Sequence, residues 1–252
     1  MSTDLSWPAG VEKRVLAEVD STNAEAARIA PTLAGPTWIL GLHQTAARGR
    51  RGRPWVNPRG NFAATLVMRP SEPPERVALR SFVAALALRD ALVRATGQAD
   101  AFALKWPNDV LLNGGKVAGI LLESSGSGGK VSHMSIGIGV NLITAPPVSA
   151  VETEALPPVS LLGETGVPVG PTDFLDLLAP CYAARETQFT TFGFDPIREA
   201  WLAGAARRGE LIRARTMHEE LHGTFETVDA EGALVLKTAN GRVTLPAADV
   251  FF

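Results

Sequence analysis

Apolar residues at Val77, Leu79, Phe82, Val83, Leu86, Leu88 and Leu92 recur at helical spacing, and Gly97 follows where a helix stop belongs. This pattern predicts a helix over residues 77–96 that covers one face of a sheet. Upstream, residues 15–19 read as a short strand, and Thr22 with Glu25 three residues later fits a capping box opening an Ala-rich helix to about Leu33. Residues 38–45 and 62–68 read as strands, separated by a long Arg/Gly-rich loop over 46–60. Runs at 101–105, 110–112, 117–123 and 131–140 predict an antiparallel meander, with Asn113-Gly114 as a tight hairpin turn and a Gly/Ser turn over 124–129. Residues 143–171 are rich in Pro, Gly and Val and read as a connection with a helical turn near 160–162. Segments 172–192 and 196–206 are helical by pattern, with Pro180 expected to kink the first. Short alternating runs at 211–215, 223–228, 233–237 and 242–245 suit a small β-barrel or sheet that leans on the rest of the chain. The expected class is α+β, a mixed, largely antiparallel sheet covered by helices over residues 1–206, with a small C-terminal β-barrel over residues 207–252.

The 252 residues are 46% hydrophobic and 20% charged, the composition of a globular protein with a real core rather than a disordered chain. Lys plus Arg total 24 against 26 Asp plus Glu, a net charge of -2, which argues against bulk nucleic-acid or anionic-membrane binding. The single cysteine, Cys181, excludes an intrachain disulfide and any multi-cysteine metal site, and reads as a small buried hydrophobe. The N-terminus lacks a basic start followed by an apolar stretch, and the longest apolar runs are far shorter than the roughly 20 residues that span a bilayer. A reducing, cytoplasmic setting is expected, with no membrane partner.

Candidate chemistry begins at Arg48-Gly49-Arg50-Arg51-Gly52-Arg53, where glycines let guanidinium forks and backbone N–H groups converge on phosphate or carboxylate oxygens. A solvated loop or a non-specific nucleic-acid contact explains the segment equally well. Walker and dinucleotide fingerprints are absent: Gly137-Ile138-Gly139-Val140-Asn141 lacks the third glycine. Gly137 and Gly139 alternate on a strand, as they do where a ring, another backbone or a ligand lies close to one face. Lys116 follows the Asn113-Gly114 turn and, taken alone, reads as a solvated hairpin lysine. His218 and His222 are four apart but fall in turn and strand, so no zinc site is proposed, and no Gly-x-Ser-x-Gly nucleophile motif occurs.

Taken together, Ser21-Thr22-Asn23, Gln44 leading into the Arg-rich loop and Trp55, Lys105-Trp106-Pro107-Asn108-Asp109, Lys116-Val117-Ala118-Gly119-Ile120-Leu121 and Gly137-x-Gly139-x-Asn141 stand in the order and spacing of a biotin protein ligase, a family this chain resembles. The later Gly223-Thr224 and Gly232-Ala233-Leu234-Val235-Leu236 are similar to that family's small C-terminal β-barrel. The resemblance implies a class II synthetase-like catalytic fold and an enzyme that activates biotin with ATP to biotinyl-5′-AMP. It then implies transfer of biotin to one lysine of a biotin carboxyl carrier protein. Lys116, Arg48 and Arg50 are then the catalytic candidates, since two anions must meet and fixed positive charge lowers their repulsion. Ser21, Thr22, Asn23, Gln44, Gly49 and Gly119 join them around biotin, whose ureido ring demands neutral polar partners. Arg50, Arg53, Trp55, Asn108, Lys116 and Asn141 are implied at ATP. Asn108 and Asp109 are candidates for Mg²⁺, while Asp109 as the group that orients or deprotonates the acceptor lysine is the competing account.

Ala47 stands where the family's loop begins with glycine, so any positive φ there would be disfavoured. About 20 residues precede Ser21, too few for a helix-turn-helix unit, so a monofunctional enzyme without an N-terminal DNA-binding domain, and without DNA as a partner, is expected. The sequence leaves a homodimer open. The rivals are a lipoate/octanoate protein ligase, against which the Arg-rich loop and the Lys-Trp-Pro-Asn-Asp segment speak, and a non-catalytic nucleic-acid-binding module with steeply salt-dependent affinity.

Overall fold

The computed structural model describes residues 6–152 and 154–252. Seven strands, β1 (Glu12–Leu16), β2 (Thr37–Gly41), β3 (Phe62–Met68), β4 (Phe102–Lys105), β5 (Asp109–Leu112), β6 (Gly115–Ser127) and β7 (Lys130–Val140), form one sheet in the order β1-β2-β3-β7-β6-β5-β4. β1 and β2 are parallel, and the other neighbours are antiparallel. The sheet is therefore mixed and largely antiparallel, as the periodicities predict.

Because side chains alternate across a strand, the two faces have different fates. Trp38, Leu40, Phe62, Leu66, Ile136, Ile138 and Val140 enter the main core. There they meet α3 (Arg80–Thr96), α5 (Pro171–Phe192) and α6 (Asp195–Ala203) through Phe82, Leu86, Phe174, Leu178 and Trp201. On the opposite face, Ile39 and Val67 pack with Ala26, Ala30 and Leu33 at and beyond α1 (Thr22–Ile29). Further along that face the strands carry Ala63, Gly119, Gly137 and Gly139, which line a cavity rather than a helix interface.

Local chemistry moves several boundaries. The first strand spans Glu12–Leu16 rather than 15–19, and Val19 makes only an isolated bridge to Gln44. β2 ends at Gly41. The cap of α1 is Ser21, extended at φ −153, whose hydroxyl accepts from the Ala24 N–H; Thr22 is the first helical residue, not the cap. Pro31 ends this helix early in a 3₁₀ turn over Ala30–Thr32. The segment expected as one helix from Val77 is two, α2 (Pro74–Ala78) and α3, with Gly97 left-handed after α3 as expected. β6 continues to Ser127, so the turn contracts to Gly128 and Gly129, both left-handed. Ser160 caps α4 (Leu161–Thr165), and α5 runs through Pro180 without interruption.

The C-terminal strands β8 (Leu211–Arg215), β9 (Glu220–Val228), β10 (Leu234–Thr238), β11 (Gly241–Leu245) and β12 (Asp249–Phe251) form a second antiparallel sheet, ordered β11-β10-β9-β8-β12. This corrects the expected barrel: among the described residues β11 and β12 are open edges. Closure is unnecessary because the apolar face is buried against the main core instead. Ile212, Phe225, Leu234 and Leu236 belong to the same cluster as Trp201, and the Trp106 indole donates to the Gly232 carbonyl at 3.1 Å. β12 was not foreseen, because three residues are too short to show a period.

Arg80 is 2% exposed. Its Nε donates to Glu186 at 2.9 Å and its Nη2 to Glu72 at 2.7 Å, and the guanidinium lies over the Phe189 ring. A buried charge left without a partner is costly, whereas an apolar replacement of the whole pair is tolerated. Glu186→Leu leaves Arg80 with Glu72 alone and is expected to lower unfolding stability by about 1–3 kcal/mol, and replacing the whole triad by adding Arg80→Met and Glu72→Gln to recover much of it. Urea titration of the two variants measures both changes.

Candidate functional site

A cavity of about 420 Å³ opens on the sheet face that α1 covers only in part. Its floor is built by β3, β7 and β6, its roof by the Arg-rich loop, and its far wall by residues near 146–158 and by β12. Every residue singled out above for biotin, ATP or metal lies along its lining. They come from segments far apart in sequence.

One end is neutral and polar. Ser21, Thr22 and Asn23 are buried at the first turn of α1. With the cap supplied by Ser21, the Thr22 hydroxyl is free for other partners: its Oγ1 lies 2.8 Å from that of Thr65 and 3.2 Å from Gln44 Oε1. Gln44 Oε1 also accepts the Thr22 N–H at 2.8 Å. The Asn23 amide sits on β7 at Gly137, where a Cβ would come within 2.3 Å of its Oδ1.

Two residues along β7, the Trp55 indole lies on Gly139, where a Cβ would approach the ring to 2.6 Å. The same ring faces Gly119 of β6, the cross-strand partner of Gly139. The alternating glycines are thus explained by an amide over one and a ring over the other. Beside them, Lys116 Nζ lies 2.7 Å from Asp109 Oδ1 and 5.8 Å from the centre of the Trp55 ring. Lys105 Nζ is 3.9 Å from the other Asp109 oxygen. Burial raises the Asp109 carboxyl, but the Lys116 and Lys105 ammoniums outweigh it and hold the group below its usual range. Burial pulls Lys105 below an ordinary lysine, against the Asp109 charge. Asn141 lines the cavity and donates through Nδ2 to the Val159 carbonyl at 3.1 Å, pinning the far wall.

The loop turns tightly: Gly49 N–H donates to Arg53 O at 2.7 Å and Trp55 N–H to Ala47 O at 3.0 Å, with Arg51 and Gly52 left-handed. Ala47 is not among the residues with positive φ, so the strain attached to losing a glycine there does not arise. Its arginines fan outward. Arg48 reaches Glu123 at 3.2 Å, Arg50 reaches Asn108 Oδ1 at 3.5 Å, and Arg51 and Arg53 meet Asp249 at 2.6 and 3.2 Å. Burial lowers Arg50 from the ordinary guanidinium value, opposed by Asp249 and Asp109.

The Asn108–Asp109 pair does not fit a metal cradle as it stands. Asp109 is engaged by two ammoniums, the Asn108 Nδ2 donates to the Ile120 carbonyl at 2.5 Å, and no group of three or more His, Cys, Asp or Glu side chains gathers for a metal among the described residues. The motif reading did not select Lys105, Thr65, Glu123 or Asp249 as site residues. Lys105 was visible in its motif; the other three carry no local signal, since only strand pairing and loop folding bring Asp249 to the cleft and set Thr65 and Glu123 against Asn23, which lines it.

Residues 15–141 match the model of the Biotin/lipoate A/B protein ligase family, and residues 209–252 that of the Biotin protein ligase C terminal domain. The biotin–[acetyl-CoA-carboxylase] ligase of Paracoccus denitrificans is 60% identical over 238 residues, 94% of this chain and 99% of that protein. The bifunctional ligase/repressor BirA of Bacillus subtilis (strain 168) is 32% identical over 216 residues, 85% of this chain and 65% of the relative. The biotin protein ligase from Aquifex aeolicus, solved with biotin and ATP, superposes with a TM-score of 0.79 at 23% identity, covering 95% of this chain and 97% of the other. With half of the chain matched over residues 15–141, its C-terminal sheet matched over 209–252 and a full-length relative at this identity, the chain belongs to the biotin protein ligase family.

Proposed function

We propose that the protein is an ATP-dependent ligase that activates biotin to biotinyl-5′-AMP and transfers the biotin to a lysine of a biotin carboxyl carrier protein. The observation that carries this reading is one cleft with two chemistries: neutral amides and hydroxyls at one end, and Lys105, Lys116 and Arg50 at the other. The first suits a ureido ring, the second the meeting of a carboxylate with a triphosphate. A full-length relative named as a biotin–[acetyl-CoA-carboxylase] ligase supports the same reading.

In the proposed mechanism, Thr22, Asn23 and Gln44 hold the biotin ring, with Ser21 and Gly49 closing around it and Gly119 leaving room for the tail. Lys116 stands beside the biotin carboxylate and the α-phosphate, and Arg48 and Arg50 close over them. Charge develops on the α-phosphoryl oxygens as the carboxylate attacks and pyrophosphate leaves, and fixed cations lower that barrier without having to reorganise. Trp55 walls the nucleotide, and Arg53, Asn108 and Asn141 flank it. In the second half-reaction the acceptor lysine must lose a proton, since its ordinary pKa is about 10.4. Asp109 lies where it orients that amine, and we prefer this to a metal role because its oxygens are already engaged by two ammoniums. Mg²⁺ would arrive with the incoming triphosphate and would neutralise part of its charge. Residues 1–206 form the catalytic unit and 207–252 the appended one in this reading. Among the described residues no helix is long and apolar enough to cross a membrane, and a cytoplasmic setting is part of the proposal.

Biotin should support exchange of labelled pyrophosphate into ATP. Exchange with lipoate and none with biotin would move the protein to the lipoate/octanoate reading, and salt-sensitive nucleic-acid binding without any exchange would favour the non-catalytic one. Lys116→Ala is expected to slow adenylate formation by about 100-fold or more in a protein that still folds, Asp109 keeping Lys105 as its counter-charge; equal rates in single-turnover assays would remove Lys116 from its role. The loop over 46–55 is tied down largely by half-exposed ion pairs, each worth about 0–1 kcal/mol. Limited proteolysis should therefore cut it readily in the free protein and slowly with biotin and ATP bound.

A further inference from the structure

Thr65, at the middle of β3, is fully buried, and it is absent from the cavity lining. Its hydroxyl nevertheless touches two groups that line the cavity: Thr22 Oγ1 at 2.8 Å and Asn23 Oδ1 at 2.6 Å. One hydroxyl has one proton, so only one of these contacts can be donated by Thr65. Which one is fixed from the far side of Asn23.

The Asn23 Nδ2 faces two groups that can only accept, the Glu123 carboxylate at 2.7 Å and the Leu121 carbonyl at 3.4 Å. The amide nitrogen must therefore point to β6, and Oδ1 to Thr65. Gly137, paired with Thr65 on one side and with Leu121 on the other, leaves the space in which this amide lies between the strands. Since Oδ1 can only accept, Thr65 gives its proton to Asn23. The Thr65 oxygen is then an acceptor toward Thr22, and Thr22 must spend its own proton on Thr65. Gln44 Oε1, 3.2 Å from the Thr22 hydroxyl, keeps the shorter bond from the Thr22 backbone N–H. The Thr22 oxygen is left with a lone pair to offer a ligand and no proton to spare.

We propose that Thr65 is a positioning residue that sets the hydrogen-bond polarity of Thr22, so that the site selects a ligand presenting an N–H at that point. Glu123 anchors the relay, and its second oxygen meets Arg48 of the lid at 3.2 Å. The inference rests on the reading of this end of the cleft as the biotin-ring site. It adds to that reading the reason a ureido N–H is preferred over an acceptor of the same shape: a cyclic carbamate would place one oxygen against another with no proton between them, a loss that buried polar pairs feel strongly.

Thr65→Val keeps the shape of the side chain and removes the relay, while Thr65→Ser keeps the hydroxyl. Pyrophosphate exchange is measured for each with biotin and with the two cyclic-carbamate analogues in which one or the other ureido N–H is replaced by ring oxygen. In Thr65→Val the KM for biotin should rise about tenfold, with kcat and the KM for ATP within about twofold of wild type. The preference for biotin over one of the carbamates should fall about tenfold, because Thr22 is free to turn its proton toward the ligand. Thr65→Ser should restore both. Should Thr65→Val fail to fold, Thr65→Ala cuts the same relay and is read in the same way. Unchanged preferences in the relay-cutting variant overturn the proposal, as does an even loss toward every substrate that accompanies a fall in melting temperature. If wild type itself shows no biotin-dependent exchange, the ligase reading fails instead, so the two failures are distinct.

Discussion

The bare face of β7 is the constraint from which the cleft follows. A β-carbon at Gly137 would stand 2.3 Å from the Asn23 amide oxygen, and one at Gly139 would stand 2.6 Å from the Trp55 indole. Both approaches are closer than real side chains tolerate. The opposite face of the same strand carries Ile136, Ile138 and Val140 into the core. One strand therefore does two jobs by alternation alone: its large residues fix the sheet against α3, α5 and α6, and its missing ones let α1 and the Arg-rich loop lay functional groups directly on the backbone. Because α1 spans only eight residues, it covers part of that face and leaves the rest as a cavity.

Charge is organised on the same principle of close approach. Asp109 lies between Lys116 and Lys105, and its carboxylate permits two ammoniums to stand near each other in a partly dry site. Without it, burial and repulsion from Lys116 would draw Lys105 still further below an ordinary lysine. Asp109 thereby preserves positive charge where the proposed reaction brings in an anion, while at the neutral end Glu123 lies outside the lining, occupied by Asn23 and Arg48. The separation of the two ends is a property of the strand register, since Gly137 and Gly139 lie only one residue pair apart on β7.

Much of this arrangement was legible in the chain. The meander, the long central helix and the Asn113-Gly114 turn follow from periodicity and turn chemistry, and the motifs named residues of the cavity because glycines inside strands and polar residues at element ends stand out from the apolar alternation around them. The misreadings have local physical causes. Thr22 and Ser21 are both good caps, and the backbone at Ser21, not the residue type, decides between them. The second sheet reads like a barrel because its strands are short and evenly spaced, but its apolar face is already covered by Trp106, Trp201 and their neighbours. Thr65, Glu123 and Asp249 could not be found from spacing. Thr65 looks like any β-branched residue in a strand, and its significance exists only once β3, β7 and α1 have met.

The lid presents the opposite case, a segment whose composition is plain and whose position is weakly determined. Its arginines make ion pairs with Glu123, Glu152 and Asp249, but those on Arg48 and Arg53 are about half exposed and each contributes about 0–1 kcal/mol. Backbone bonds within the loop, from Gly49 to Arg53 and from Trp55 to Ala47, preserve its turn without tying that turn to the sheet. Between its anchors, the Ala46 N–H on the Asp20 carbonyl and the Trp55 indole on Gly139, the turn is therefore held more firmly within itself than to the sheet. Of the two guanidiniums that hold it to β12, Arg53 lines the cavity, so in the proposed reaction an incoming polyanion would compete with Asp249 for that arginine. Anion binding and the grip of the loop would then be linked through Asp249, a residue whose strand is three residues long and whose carboxylate serves two of the loop's arginines.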